Sequence, residues 1–138
     1  MKAITVLIIA MLVLGCESRN SEHHYLLGTW KSNEKMTLES MNGNEGVTEK
    51  ARTFLENDFF GQLVAEYKEN EYRAVNEKDD YDTGYQPYEV VAVEKGFIRI
   101  KGAPDILGDT ETTIYPAGEC FYMIVTKFEF REYFCKVK

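Results

Sequence analysis

Near the C-terminus, in "FREYFCKVK", Arg131 and Tyr133 stand two residues apart with Glu132 between them. Side chains on a strand alternate between faces, so this spacing puts the guanidinium and the phenol on one side and Glu132 on the other. A guanidinium is a two-pronged donor and a phenol adds a third hydrogen bond, a set suited to a carboxylate. Other chemistry is harder to assemble. The two histidines are His23 and His24, so residues 25–138 contain no imidazole base to activate a Ser or Cys nucleophile. Adjacent histidines on one polar stretch do not make a full metal site. Asp79, Asp80 and Asp82 before Gly84 resemble a calcium loop in composition, but Tyr81 breaks the alternation such a loop needs. The expected state of 77–87, "EKDDYDTGYQP", is a solvated, turn-rich acidic loop. No Gly-rich phosphate cradle is present. The expectation is a binding protein and not an enzyme, with no cofactor and no metal.

Three cysteines frame the chain: Cys16, Cys120 and Cys135. Cys16 ends an uncharged, mostly apolar run from Ile4 to Gly15. A helix of that length reaches roughly 18 Å, well short of a bilayer core of about 30 Å. Lys2 before the run completes the layout of a secretory signal. Val13-Leu14-Gly15-Cys16 resembles the end of a bacterial lipoprotein signal. The resemblance implies cleavage before Cys16, acylation of that residue, and residence in the cell envelope. Glu17, which is not Asp, then points to the periplasmic face of the outer membrane. The alternative is an ordinary secretory signal with Cys16 a bystander. The expected divisions are a signal peptide over 1–15, the lipidated cysteine and a polar tether over 16–25, and one domain over 26–138. In an oxidising compartment Cys120 and Cys135 are expected to pair; two free buried thiols are the competing state.

Loss of residues 1–15 removes Lys2 and leaves 15 Lys plus Arg against 23 Asp plus Glu, a net charge near −8. Such a chain is repelled by nucleic acid and by anionic head groups, so membrane attachment has to come from the acyl chains. Nine Tyr and eight Phe favour a β-rich core. Alternating or apolar runs between turn signals predict eight strands, at 28–32, 62–68, 71–76, 88–94, 97–102, 111–115, 120–126 and 129–137. Within "TEKARTFLENDFFG", Val47, Ala51, Phe54, Leu55 and Phe59 form a helical stripe, capped by Thr48 and stopped at Gly61. Residues 36–41 fit either a strand or a helical turn. A turn near Lys127-Phe128 would bring Cys120 and Cys135 together across the last hairpin.

Gly28-Thr29-Trp30-Lys31 is similar to the G-x-W opening of lipocalins and fatty-acid-binding proteins. Arg131-Glu132-Tyr133 is similar to the R-x-Y of the latter's last strand, and 36–60 occupies the place of their helical lid. The resemblance implies a mainly β, antiparallel, eight-stranded lipocalin-like barrel with a helical insertion after the first strand. It further implies that Arg131 and Tyr133 hold a ligand carboxylate, or alternatively that Arg131 packs across Trp30 and closes the barrel. Tyr67, Tyr72, Tyr88 and Tyr122 would line a cavity or fill a core. Two functions follow as expectations. One is a membrane-anchored protein that binds a small apolar ligand, with a carboxylate as one option for its polar end. The other is a periplasmic inhibitor or immunity-type protein whose acidic loop meets a basic partner.

Overall fold

The computed structural model describes residues 25–57, 59–102, 110–125 and 127–138. Cys16, His23 and His24 lie outside the described residues. In chain order the elements are β1 (Gly28–Ser32), α1 (Glu34–Asn42), α2 (Glu49–Glu56), β2 (Leu63–Tyr67), β3 (Glu71–Asn76), β4 (Tyr81–Asp82), β5 (Gln86–Pro87), β6 (Glu89–Glu94), β7 (Phe97–Lys101), β8 (Glu111–Ala117), β9 (Cys120–Val125) and β10 (Phe130–Lys136). They build one curled antiparallel sheet in the order β4-β3-β2-β1-β10-β9-β8-β7-β6, with β5 also on β3. The first and last long strands, β1 and β10, are neighbours in the middle of that order. The chain from Gln86 to Glu94 pairs first with β3, Tyr72 opposite Gln86, and then with β7, Glu89 opposite Lys101. One stretch of backbone thereby touches both ends of the sheet and limits its open edges.

Ten strands stand where the sequence pattern predicts eight. The two extra ones, β4 and β5, are two-residue pieces inside the acidic loop. Their composition carries no strand signal; they form because the loop folds back on β3. Arg73 grips Asp82 with two hydrogen bonds of 2.9 and 2.5 Å, and Thr83 Oγ1 accepts from the Ala74 amide at 2.9 Å. The helical stripe also ends early, at Asn57 and not at Gly61, while Thr48 caps its start by accepting from the Ala51 amide.

Residues 36–41 are helical because β1 leaves the sheet after Ser32 while β10 continues. The β10 amides beyond that point need acceptors. Helix α1 supplies them: Tyr133 N–H donates to Thr37 Oγ1 and Arg131 N–H to Ser40 Oγ, each at 3.0 Å. Asn33 N–H donates to the Tyr133 carbonyl at 2.7 Å and its side chain caps α1 by accepting from Met36 N–H at 3.0 Å. Thr37 is fully buried in this role.

Inward side chains form two apolar clusters. The larger fills the centre of the curl with Trp30, Tyr67, Tyr88, Ile98, Ile114, Phe121 and Phe134. The smaller lies under the helices, with Met41, Val47, Leu55, Phe60 and Phe130. The β9–β10 hairpin runs between them in continuous register, from Val125 opposite Phe130 to Cys120 opposite Cys135. That last pair is the disulfide, on the outer face.

Trp30 does not meet Arg131. The indole is buried, edge-on to Phe121 at 4.9 Å, and its Nε1–H donates to the Leu26 carbonyl at 2.7 Å. The cation over its ring is Lys136, its register partner on β10, at 5.2 Å. Alternation explains the substitution: Lys136 has the parity of the inward residues Phe130 and Phe134, whereas Arg131 has the opposite parity and sits five residues away, roughly 16 Å.

Candidate functional site

The end of the fold under the helices opens into a cavity of about 510 Å³. Its walls come from α2 (Thr48, Lys50, Ala51, Phe54, Leu55), from Phe59 and Phe60 ahead of β2, and from the β9–β10 hairpin (Val125, Lys127, Phe128, Phe130, Glu132). The volume lies in the range of small-molecule sites. Aromatic rings form a continuous path from solvent to core: Phe54 to Phe59 at 5.7 Å, Phe59 to Phe60 at 5.1 Å, and Phe60 to Phe130 at 5.7 Å. The outermost rings are wet, Phe54 at 66% exposure and Phe59 at 45%. Exposed aromatics that lead into an apolar recess are where an apolar guest recovers the most area from water.

Among the described residues lining this cavity, Glu132 is the acidic one. It follows Phe130 and precedes Phe134 on the inward face of β10, so it separates the two apolar clusters. Opposite it on β9 stands Met123, which packs against the central cluster. Burial pushes its carboxyl up to about 7, with no counter-charge offsetting the desolvation. The basic groups of the cavity, Lys50 and Lys127, are exposed at its rim.

Arg131 and Tyr133 are brought together, but not in this cavity. They occupy the outer face of β10 and line a separate groove of about 230 Å³ with Met36, Glu39 and Ser40 of α1. Their own hydrogen bond, and Tyr122 beside them, hold the guanidinium pKa above its ordinary value. Arg131 stacks over the Tyr122 ring at 4.7 Å. A ligand carboxylate in this groove would also meet Glu39. Arg131 and Tyr133 cannot orient a molecule lodged on the other face of their own strand.

Of the four tyrosines marked for a cavity, Tyr67 and Tyr88 are core and Tyr72 packs against them. Tyr67 meets Tyr72 at 6.0 Å and Tyr88 at 5.6 Å, and Tyr88 O–H donates to the Lys68 carbonyl at 2.7 Å. Tyr122 faces outward, stacked on Tyr115 at 4.9 Å. In the acidic loop Asp82 is tied to Arg73, which brings its carboxyl down to about 2, while Asp79 and Asp80 remain exposed.

Sequence reasoning placed Glu132 only as the residue pointing away from Arg131. The usable signal was the alternation Phe130, Glu132, Phe134: a carboxylate in phase with two inward aromatics. The cavity itself joins segments about eighty residues apart and has no local signature. Compared with known proteins, the chain matches no family model, no curated protein and no solved structure.

Proposed function

We propose that this chain is an envelope lipoprotein, acylated at Cys16, that binds a small and mainly apolar ligand in the cavity beneath α2. The supporting observation is the aromatic path from exposed Phe54 to buried Phe130, opening on about 510 Å³ of mostly apolar-walled space. Its anchor is the acyl group at the periplasmic face of the outer membrane, in keeping with a net charge that disfavours both anionic lipid and nucleic acid. The curled sheet is read as a lipocalin-like barrel joined through Gln86–Glu94, with α1 and α2 as its lid. The centre of the curl is filled by Trp30, Phe121, Phe134 and their neighbours, which leaves the lid end as the place for a guest. The reading is of a protein that acts by binding: residues 25–138 carry no histidine to serve as an imidazole base.

The test is titration of the soluble domain, Ser18 onward and delipidated, with the fluorescent apolar probe N-phenyl-1-naphthylamine. Saturable binding that weakens at least tenfold in Phe59→Ser is expected. Binding that is absent, or unaffected by Phe59→Ser, would remove the cavity from consideration. In the same preparation Arg131→Ala is expected to bind the probe as the parent does, because its side chain lies on the outer face.

The exposed pair Asp79 and Asp80, on a loop pinned to β3 by the Arg73–Asp82 pair, supports a second reading: a module that captures a basic envelope protein. That reading predicts a single basic partner, released by moderate salt and lost when Asp79 and Asp80 are both changed to Asn. Capture indifferent to salt and to those changes would eliminate it.

A further inference from the structure

Among the described residues, the cavity has a mostly apolar wall and one acidic group, and the chemistry of that group restricts what fits. We propose that the ligand carries a hydrogen-bond donor, an amine or a hydroxyl, on an apolar body, and that Glu132 receives this donor inside the cavity. The inference rests on the ligand-binding reading above and names the class of ligand for that site.

Three observations carry it. First, Glu132 lies on the inward face of β10 between Phe130 and Phe134, so its carboxyl is enclosed by apolar side chains and yet borders the cavity. Second, among the described residues no side chain or backbone group donates to it. Among the described residues, the other charged groups that line the cavity are Lys50 on α2 and Lys127 in the β9–β10 turn, both at the exposed rim, while Glu49, Arg52 and Glu56 of α2 and Glu129 of the turn do not line it; opposite Glu132 on β9 is Met123, and Val125 lies opposite Phe130, neither carrying a charge. Third, a carboxyl left without a donor in an apolar recess costs free energy that an incoming donor recovers. A guest with only an alkyl surface leaves that cost in place. A guest with a carboxylate adds a like charge beside it. An ammonium or a hydroxyl satisfies the group and leaves the alkyl body on the phenylalanines. The raised carboxyl, near 7, agrees with this surrounding. It also sets the pH behaviour: above neutrality Glu132 is an anion that accepts only, so the preference for a donor is strongest there.

The test uses the full chain in lipid nanodiscs, with empty nanodiscs as the partition reference. Octylamine, octan-1-ol and octanoate are titrated by calorimetry at pH 6 and pH 8 against the parent, Glu132→Leu and Glu132→Gln. At pH 8 the parent is expected to bind octylamine and octan-1-ol at least tenfold more tightly than octanoate. The octylamine advantage over octanoate should narrow at pH 6. In Glu132→Leu it should vanish while the three chains still bind. Glu132→Gln keeps the shape without the charge, so it should retain octan-1-ol and show no pH dependence of the amine preference. If all three probes bind the parent equally, or if the preference survives in Glu132→Leu, Glu132 does not receive the ligand and the cavity reading stands alone. Failure of all three to bind the parent overturns the cavity reading and this inference together.

Discussion

At the scale of single residues, the position of one side chain relative to its neighbours decides its chemistry. Glu132 and Arg131 are adjacent in sequence, and the pleat sends one into an apolar recess and the other to solvent. The carboxyl that stays inside bears the cost. In the unfolded chain Glu132 ionises near 4.5, and in the fold near 7. Between those values the native state holds more protons than the unfolded state, so stability falls as pH rises through the window and stays low above it. Glu132→Gln should therefore be more stable than the parent at pH 8, by up to about 3 kcal/mol, with the gain shrinking as pH falls through 7 and gone near pH 4.5. Urea unfolding at pH 5 and pH 8 measures this; equal differences at both pH values would contradict it. Thr37 poses the opposite case, a buried hydroxyl in use. Thr37→Val keeps the volume but strands the Tyr133 amide, at an expected cost of about 1–3 kcal/mol in the same assay.

Elements show how local signals are redirected by their neighbours. The β9–β10 hairpin is set by alternation on both strands and then locked by the Cys120–Cys135 bond at its far end. The bond closes a loop of sequence separation 15, for which loop entropy gives about 3 kcal/mol. Replacing both cysteines by Ala should lower thermal stability by an amount of that order and leave the far-ultraviolet spectrum β-rich. Loss of all β signal would instead make the bond a condition of folding. Helix α2 is amphipathic on paper, and its stripe holds both Leu55 and Phe54. Only Leu55 is buried, at 6%, while Phe54 stands at 66% exposure. Leu55→Ala should cost about 2–4 kcal/mol. Phe54→Ser should stay within about 0.5 kcal/mol in unfolding and still weaken capture of N-phenyl-1-naphthylamine. If Phe54→Ser destabilises as much as Leu55→Ala, that ring is core and not a gate.

For the molecule as a whole, the described chain starts at one end and the cavity opens at the other. Tyr25 lies tilted against Trp30 and its O–H donates to the Cys120 carbonyl at the start of β9, whereas the cavity takes Val125 at the end of β9. The strand between them spans roughly 17 Å. The cavity end of the domain therefore lies opposite the end at which the described chain begins. Cys16→Ala is expected to move the protein from the membrane to the soluble fraction and to abolish palmitate incorporation, with the unfolding curve of the domain unchanged. Palmitate in the variant, or none in the parent, would rule out the acyl anchor at that residue.

The strand runs from β1 through β3 and from β6 through β10 were legible because each carries its own alternation between turn residues, a signal contained in five to seven neighbours. The pairing of Cys120 with Cys135 was legible for the same reason, as one hairpin contains both. The short β4 and β5 were not, since they depend on Arg73 and Ala74 across a loop. Nor was the partner of Trp30, because the choice between Arg131 and Lys136 follows from register, and register is fixed by how a first and a last strand meet. The cavity is the furthest case. Alternation by itself separated Glu132 from Arg131, but only packing α2 and Phe59 over the hairpin decided which of the two faces became an enclosed space, because enclosure is a property of surfaces brought together and not of any one segment.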